Sequence, residues 1–327
     1  MEIEISQARQ MALDALIGNE MEDSEANVIV EHLIYAELCN SKAVGLRGLP
    51  WIVKAYKDSS PRPMEIAKET SVSVLLDGGG KNGMIVGQRA IDIAIQKSKN
   101  IGVGICGGFD CSGIGICGYY ARQALPHHLI GLVTANSIAA VAPYGSRVPI
   151  FGTNPLCIAI PAQKDEIVSD LSTSKMTYGE ILLAQKLGIK ISGDVLISED
   201  GYPTTDPNDL SRGAILPIAE HKGSALSLAL EILAGPLVSA KAGLKAVGGS
   251  WGFLVACINP EIFVPITQFE YQIQCLIEEI KNAPPAPGFS NVLIPGERSA
   301  QSREANLRKN TINIPEIVMK DLENMIH

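Results

Sequence analysis

The stretch CGGFDCSGIGICGYYARQ, residues 106–123, decides the fold, because GIGICG at 113–118 matches the G-x-G-x-x-G pattern of a Rossmann phosphate loop. Such a loop directly follows a strand, and an acidic residue about 20 positions further on binds the ribose. Here the preceding strand, IGVGIC, is predicted to end near Cys106, and residues 132–140 contain no Asp or Glu. The sequence therefore predicts a glycine-rich strand-to-helix turn and not a Rossmann fingerprint.

The composition is that of an ordinary soluble globular protein with room for one large domain or two smaller ones: 327 residues, 46% hydrophobic and 19% charged. The formal net charge of −8 and the lack of a Lys/Arg-rich run argue against a nucleic-acid partner. Residues 123–146 are uncharged, but their prolines, histidines and asparagine disfavour a membrane span. A buried strand with flanking turns is predicted there instead.

The chain starts with the acidic MEIEIS and no apolar region behind it, so no signal peptide is predicted. Its seven cysteines show no metal-ligand spacing. We expect reduced thiols, no metal site and a cytoplasmic location.

Residues 6–18 and 24–38 carry apolar residues at helical spacing. From about residue 72, short β-branched runs alternate with helical ones, and a proline-rich connector occupies 282–289. The alternation predicts an α/β layered domain with a largely buried sheet.

The glycine-rich turn carries Asp110, Cys111 and Ser112, which could line a site. Asp110 and Cys111 are candidate catalytic residues. No histidine lies near Cys111 in sequence, and a thiol without a base or cation beside it is a poor nucleophile. Packing of the loop is therefore the favoured interpretation of Cys111.

Four other stretches are more specific. Their polar residues either build ordinary turns and helix caps or hold an anionic ligand on hydroxyls, free amides and one lysine. They are PIFGTNPLCIAIP (149–161, with Asn154 and Pro155), SDLSTSKMTYGE (169–180, with Asp170 and the hydroxyls of Ser172, Thr173 and Ser174 capping a helix), SEDGYPTTDP (198–207) and LPIAEHKGSALS (216–227, with Lys222 and Gly223 opening a helix).

In this order the motifs resemble those of the type-2 malate/L-lactate dehydrogenase family, which includes sulfolactate, ureidoglycolate and diketogulonate oxidoreductases and a cyclic-imine carboxylate reductase. The resemblance covers nearly the whole chain. It rests on Asp77-Gly78…Gly80, Pro143…Gly152-Thr153-Asn154-Pro155, Asp170…Thr173-Ser174, Asp200-Gly201…Asp206-Pro207, Lys222-Gly223 and the tail IPGERSAQSRE at 294–304.

The resemblance implies a three-layer α/β fold that is not Rossmann, with a mixed sheet and helical terminal segments packed together. We expect residues 1–71 to pack with the tail 285–327, and 72–284 to form the cofactor-binding domain. It also implies a homodimer with the site near the subunit contact. NAD or NADP would be held by Asn154 and Pro155, Ser172, Thr173 and Ser174, Lys222 and Gly223, and Gly296 and Glu297.

The family's two histidine motifs find no plain match. Aligned on Gly45 and Leu49-Pro50, the stretch AELCNSKAVGLRGLP (36–50) has Val44 at the histidine position. With two residues inserted, Lys42 takes that place and Arg47 stands in for the motif arginine. Gly113 stands at the second histidine. The resemblance thus implies a divergent member without either histidine.

Three hypotheses follow. The first is an NAD(P)H-dependent reductase of a small carboxylate, either a cyclic imino acid or a 2-oxo acid, with Lys42, Arg47 or Asp170 orienting the substrate. A protonated imine needs only hydride at carbon, so it tolerates the loss of a proton donor. The second is non-redox chemistry that recruits Asp110, Cys111 or Lys42. The third is a silent paralogue that binds a cofactor or metabolite.

Overall fold

A computed structural model describes residues 1–41 and 43–326 of the chain. Its helices are α1 Ile5–Ile17, α2 Asp23–Leu38, α3 Leu49–Lys57, α4 Gly83–Ile101, α5 Cys117–Ala121, α6 Tyr178–Leu187, α7 His221–Ala234, α8 Ile266–Asn282, α9 Glu297–Lys309 and α10 Glu316–Ile326. Its strands are β1 Glu2–Glu4, β2 Glu65–Glu69, β3 Ser73–Asp77, β4 Val103–Cys111, β5 Ile130–Ala135, β6 Leu156–Pro161, β7 Glu166–Leu171, β8 Leu196–Ile197, β9 Pro203–Thr204, β10 Ala214–Ile215, β11 Trp251–Ile258 and β12 Thr311–Asn313.

The main sheet has seven strands in the order β2-β3-β4-β11-β5-β6-β7. Only β3 and β4 run parallel, joined by the crossover helix α4; the other neighbouring strands of this sheet are antiparallel. The predicted mixed sheet is confirmed. A Rossmann fold needs a run of parallel strands, which this order does not contain.

Helices cover both faces of the sheet. Gly104 of β4 lies against the Ala94 carbonyl of α4, and Gly107 lies against Val238, just after α7. Residues an odd number apart on a strand point to opposite faces, so α4 and the α7 region are on opposite sides. The three-layer α/β architecture is therefore observed directly.

The strand before the glycine-rich turn is longer than the sequence predicts. β4 continues through CGGFDC to Cys111 and does not end near Cys106. Two glycines and two cysteines weaken the apolar pattern of this segment, but pairing with β11 satisfies its backbone. The predicted end of this strand near Cys106 was wrong, and the sheet order alone excludes a Rossmann fold.

The two ends of the chain pack on each other. β1 pairs with β12, and the apolar faces of α1, α2 and α3 share a buried core with residues of β12 and α10. The boundary predicted at residue 71 falls between β2 and β3, which pair as an antiparallel hairpin. Within the described residues, no helix combines the length and apolar character needed to cross a membrane.

Candidate functional site

A cleft of about 1520 Å³ opens where the N-terminal helices, the main sheet and the C-terminal tail meet. Segments that are far apart in sequence form its walls. The lining includes Tyr35, Ser41, Ala43, Val44, residues 115–118, Asp170, Ser172, residues 177–180, Trp251 and residues 288–296. The glycine-rich turn thus lines the cleft, as one of the two interpretations of the sequence expects.

Asp170 is the carboxylate at the floor of this cleft. It lies near the end of β7, and its Oδ2 accepts a hydrogen bond of 2.7 Å from the Gly118 backbone N–H. Asp170 is exposed and lines the cleft, while protein atoms on its other sides reduce the hydration of its carboxyl group. This partial loss of hydration raises the pKa of Asp170 to about 6, and the Gly118 hydrogen bond opposes the rise in part.

Glycine at 118 is required by this contact. A Cβ at that position would lie 2.7 Å from the Asp170 Oδ2. The thiols of Cys117 and Cys157 also face Asp170, and burial raises the pKa of both, so they are neutral. The Asp170 carboxyl group is therefore exposed on one side and flanked by two neutral thiols and by the Gly118 backbone N–H, which donates a hydrogen bond to it.

The hydroxyl cluster after β7 does not cap the following helix, contrary to the prediction. Thr177 is the N-cap of α6, and it forms a capping box with Glu180. Ser172 Oγ instead donates to the Thr153 carbonyl at 2.9 Å, and Thr173 Oγ1 donates to the same carbonyl at 3.1 Å. The cluster ties the Gly-Thr-Asn-Pro turn to the end of β7, and Ser172 lines the cleft.

The structure brings this hydroxyl segment to the start of α7. Ile218 N donates to the Thr173 carbonyl, and Lys175 N donates to the Leu216 carbonyl, both at 2.9 Å. Lys222 follows as an exposed residue in the first turn of α7, outside the cleft lining. Gly223 is buried, and a Cβ there would lie 1.9 Å from the Ile218 carbonyl oxygen.

The predicted tail segment at 294–304 also contacts β7. Val168 N donates to the Pro295 carbonyl at 3.1 Å, and Gly296 packs on Val168 with a positive φ of +89°. Gly296 lines the cleft. Glu297 does not line it; its Oε2 accepts from Ile294 N at 3.1 Å and so closes the turn that leads into α9.

Asn154 and Pro155 lie in different environments. Pro155 lines the cleft, whereas Asn154 is fully buried. The Asn154 Nδ2 donates to Glu231 Oε2 at 2.6 Å and to the Ser227 carbonyl at 3.1 Å. Asn154 therefore supports the turn from behind and provides a donor for a buried carboxylate.

Replacing Asn154 with Ala is expected to destabilise the protein by about 1–3 kcal/mol, because it removes a donor from the buried Glu231 carboxylate. Urea unfolding would measure the free energy. Asn208→Ala is a suitable control, since Asn208 is exposed and its Nδ2 bonds only the exposed Asp206. Equal losses in the two variants would contradict the role given to Asn154.

The remaining catalytic candidates lie apart. Asp110 forms a surface ion pair of 2.8 Å with Arg62. Cys111 is buried on β4, and burial raises the pKa of its thiol to about 12, which makes it a poor nucleophile. Neither residue lines the cleft. Lys42 lies outside the described residues.

Arg47 lies behind the loop that carries Ser41, Ala43 and Val44. Its Nη1 donates to the Ser41 carbonyl at 3.3 Å, while its buried Nη2 has no hydrogen-bond partner in the described part of the chain. Burial lowers the pKa of Arg47, and the Glu37 and Glu180 carboxylates oppose that change. The guanidinium remains a cation, but its Nη2 is buried and Arg47 does not line the cleft.

The sequence gives no signal for Trp251, and it favours a partly buried structural role for His32 on the second helix. Trp251 lines the cleft and stacks on Trp51, with ring centroids 6.4 Å apart and planes within 4°. A Cβ at Gly113 would lie 3.0 Å from the Trp251 ring, so the indole occupies the space beside the position where the resemblance places a histidine. His32 lies beneath the turn at Gly115 and Ile116. No local sequence signal connects residues so far apart.

Comparison with known proteins identifies the family. The family model for malate/L-lactate dehydrogenase matches residues 3–323. The malate/(S)-sulfolactate dehydrogenase of Methanothermus fervidus is 34% identical over 300 residues, which are 89% of this chain and 87% of that protein. The chain belongs to the malate/L-lactate dehydrogenase family and is an oxidoreductase that uses NAD or NADP.

Solved structures agree with the fold. The sulfolactate dehydrogenase of Methanocaldococcus jannaschii superposes with a TM-score of 0.90 at 32% identity, covering 99% of this chain and 96% of that one. The malate dehydrogenase of Entamoeba histolytica superposes with a TM-score of 0.93 over 99% of this chain and 97% of that one. At 24% identity, the second likeness concerns the fold alone. The absence of the two motif histidines stays a prediction.

Proposed function

We propose that this protein is an NAD(P)H-dependent reductase of a small 2-oxo carboxylate, working in the reverse direction as a 2-hydroxy acid dehydrogenase, with Asp170 as the proton-bearing group. The observation that supports the proposal most directly is the position of Asp170: a carboxyl group with a pKa of about 6 on the floor of a large cleft, two residues from Ser172. A group that titrates near neutral pH can donate a proton to a substrate oxygen and recover it.

The residues present fit a nicotinamide dinucleotide. The cleft volume of about 1520 Å³ exceeds the usual 300–1,000 Å³ of a small-molecule pocket, as a dinucleotide requires. Ser172 and Gly296 line the cleft, and the hydrogen bonds of Thr173 bring the start of α7 close to them. The Ser172 hydroxyl, the amides at the start of α7 and the Lys222 ammonium would hold the phosphates. When bound, the reduced nicotinamide supplies the hydride to the substrate carbon.

Arg47 suits the substrate carboxylate. A guanidinium can bind a carboxylate through two parallel hydrogen bonds, and the buried Nη2 of Arg47 would have to move out from behind the cleft wall to reach the substrate. The Arg47 Nη1 contact with Ser41 also holds the loop that forms this wall. Lys42, which lies outside the described residues, stays a proposed alternative.

Reduction of a cyclic imino acid is a second candidate. No histidine is found among the described residues that line the cleft. A protonated imine needs no proton donor, and the Asp170 carboxylate would pair with its positive charge. We therefore propose either a 2-oxo acid or a cyclic imino acid as the substrate.

The pH dependence separates the two substrates. Reduction of a 2-oxo acid needs protonated Asp170, so its rate should fall as the pH rises through about 6. Pairing with an iminium ion needs the carboxylate, so that rate should rise through the same pH. We would measure kcat/KM from pH 5 to 8 with sulfopyruvate, oxaloacetate and pyruvate, and with pyrroline- and piperideine-2-carboxylate. Cofactor binding without turnover of any of these would instead favour the non-redox or silent alternatives.

Replacing Lys222 with Ala is expected to weaken NAD(P)H binding about tenfold, because one charged phosphate contact is lost. Titration of nicotinamide fluorescence with NADH and NADPH would measure both dissociation constants. Lys57→Ala, an exposed lysine at the end of α3, is the control. Unchanged affinity in Lys222→Ala would remove this residue from the cofactor site.

We also propose a cytoplasmic homodimer. Its seven cysteines are free thiols, which fits a reducing compartment. Leu228 and Ile232 lie one turn apart on α7, and each is 49% exposed, as expected of a helix face that a second copy covers. Light scattering in solution would measure the mass of the assembly, and a monomer would contradict the dimer.

A further inference from the structure

The His32 side chain is fixed beneath the glycine-rich turn. It projects from α2, is completely buried, and its Nε2 accepts a hydrogen bond of 2.8 Å from the Ile116 backbone N–H. The ring also packs against Gly115, where a Cβ would lie 2.3 Å from the Nε2. The rings of Tyr119 and Tyr120 enclose it at centroid distances of 4.4 and 5.3 Å.

The imidazole is a neutral acceptor over the whole working pH range. Burial lowers the pKa of His32 to about 3, and an Nε2 that accepts a hydrogen bond leaves the proton on Nδ1. That Nδ1 is buried and has no hydrogen-bond partner among the described residues. A buried N–H without a partner destabilises the fold, and an apolar residue of similar volume would not have one. The Nε2 acceptor is therefore the feature that distinguishes His32 from an ordinary core residue.

The same turn also contacts Asp170, through the backbone N–H of Gly118, two residues after Ile116. The Ile116 N–H donates to His32, and the Gly118 N–H donates to the Asp170 Oδ2 at 2.7 Å. The peptides of residues 115–118 line the cleft between these two contacts. A turn of four residues with both ends fixed by short hydrogen bonds has little freedom, so the position of one N–H constrains the direction of the other.

We propose that His32 is a positioning residue that acts through the 115–118 turn and holds the Gly118 N–H on the Asp170 carboxylate. This inference deepens the proposed function, since it assigns a second residue to the control of the proton-bearing group. His32 contacts neither substrate nor cofactor in this arrangement, and its effect reaches the cleft only through the backbone.

The consequence is a change in the acidity of Asp170. The groups that face Asp170 are the Gly118 N–H on α5, the neutral thiol of Cys117 on the same helix and the neutral thiol of Cys157 on β6. The Gly118 hydrogen bond is the interaction among these that favours the ionised form. Loosening the turn weakens that bond, so the titration midpoint of Asp170 moves to higher pH.

The test compares His32→Leu, which removes the acceptor, with His32→Gln, whose Oε1 can replace the Nε2. Infrared spectroscopy of the protonated carboxyl band follows Asp170 without any substrate, and Asp170→Asn assigns the band. We expect the midpoint in His32→Leu to rise by about one pH unit, since a hydrogen bond to a charged group is worth about that much. His32→Gln should stay near the wild type.

Equal midpoints in His32→Leu and the wild type would overturn the proposal, and so would equal shifts in His32→Leu and His32→Gln, because volume alone would then explain them. If His32→Leu does not fold, His32→Asn, whose amide falls short of Ile116, replaces it with the same expectation. The spectroscopic midpoint does not depend on turnover. If the Asp170 midpoint shifts in His32→Leu but the wild-type protein has no reductase activity, the proposed function is wrong and the inference about His32 still holds.

Discussion

Replacing Asp170 with Asn is expected to lower kcat for 2-oxo acid reduction by about 10²–10⁴-fold, the usual contribution of a positioned acid or base. Asn is nearly isosteric, and its Oδ1 can still accept the hydrogen bond from Gly118 N–H. The variant should therefore fold and bind NAD(P)H, but it lacks the carboxyl proton that Asp170 would donate to the substrate. Steady-state kinetics with the five carboxylates named above, together with a cofactor titration, would measure the effect.

A matched control is Asp58→Asn. Asp58 is exposed at the end of α3, and among the described residues its side chain pairs with Lys54 alone, so its removal should leave kcat unchanged. In Asp170→Asn the inflection of the kcat/KM profile near pH 6 should also disappear. A variant that keeps both its rate and its inflection would show that another group supplies the proton.

The same substitution should change the pH dependence of stability. The folded-state pKa of Asp170, about 6, lies above its ordinary value of 3.8, so folding favours the protonated form. The stabilisation is fully present below about pH 4 and is lost as the pH rises through about 6. Asp170→Asn stays neutral, so its free energy of unfolding should rise relative to the wild type between pH 4 and 7. Urea unfolding at both pH values would measure the difference, and a change of opposite sign would contradict the raised pKa.

Replacing Gly115 with Ala is expected to destabilise the protein by about 2–5 kcal/mol, the sum of a strained backbone and a forced contact. Gly115 has a φ of +78°, which costs an L-residue about 1–2 kcal/mol. Its added Cβ would also lie 2.3 Å from the His32 Nε2, and the buried ring has no room to retreat. The midpoint of urea unfolding would report the loss.

Gly145→Ala isolates the backbone contribution. Gly145 has a φ of +87°, but nothing lies within 4 Å of an added Cβ. The Gly145→Ala variant should lose only about 1 kcal/mol of unfolding free energy. If the two variants lose equal stability, the contact between Gly115 and His32 contributes nothing, and the account of the turn fails.

Local periodicity determined most of the elements. The apolar spacing predicts helices over 6–18 and 24–38, and the structure has α1 and α2 within one residue of those limits. The amphipathic pattern of a long helix survives in any tertiary context because its face must be buried. The end of β4 depends instead on β11, a partner distant in sequence, and the prediction that this strand ends near Cys106 was wrong. The predicted cap of α6 was also wrong, although the capping box of Thr177 and Glu180 that replaces it is local in sequence.

The sequence by itself determined the fold family, because a set of short motifs in fixed order is specific even when each one alone is ambiguous. It also marked Asp170, Ser172 and Gly296, which the structure places on the cleft. Tertiary structure alone decided how they work. The pKa of Asp170 is raised by the loss of hydration and lowered in part by the hydrogen bond from Gly118, 52 residues away, and the turn that donates this bond is held by His32, 84 residues from Ile116. Burial and hydrogen-bond geometry arise only when these distant segments pack, and no local pattern encodes them.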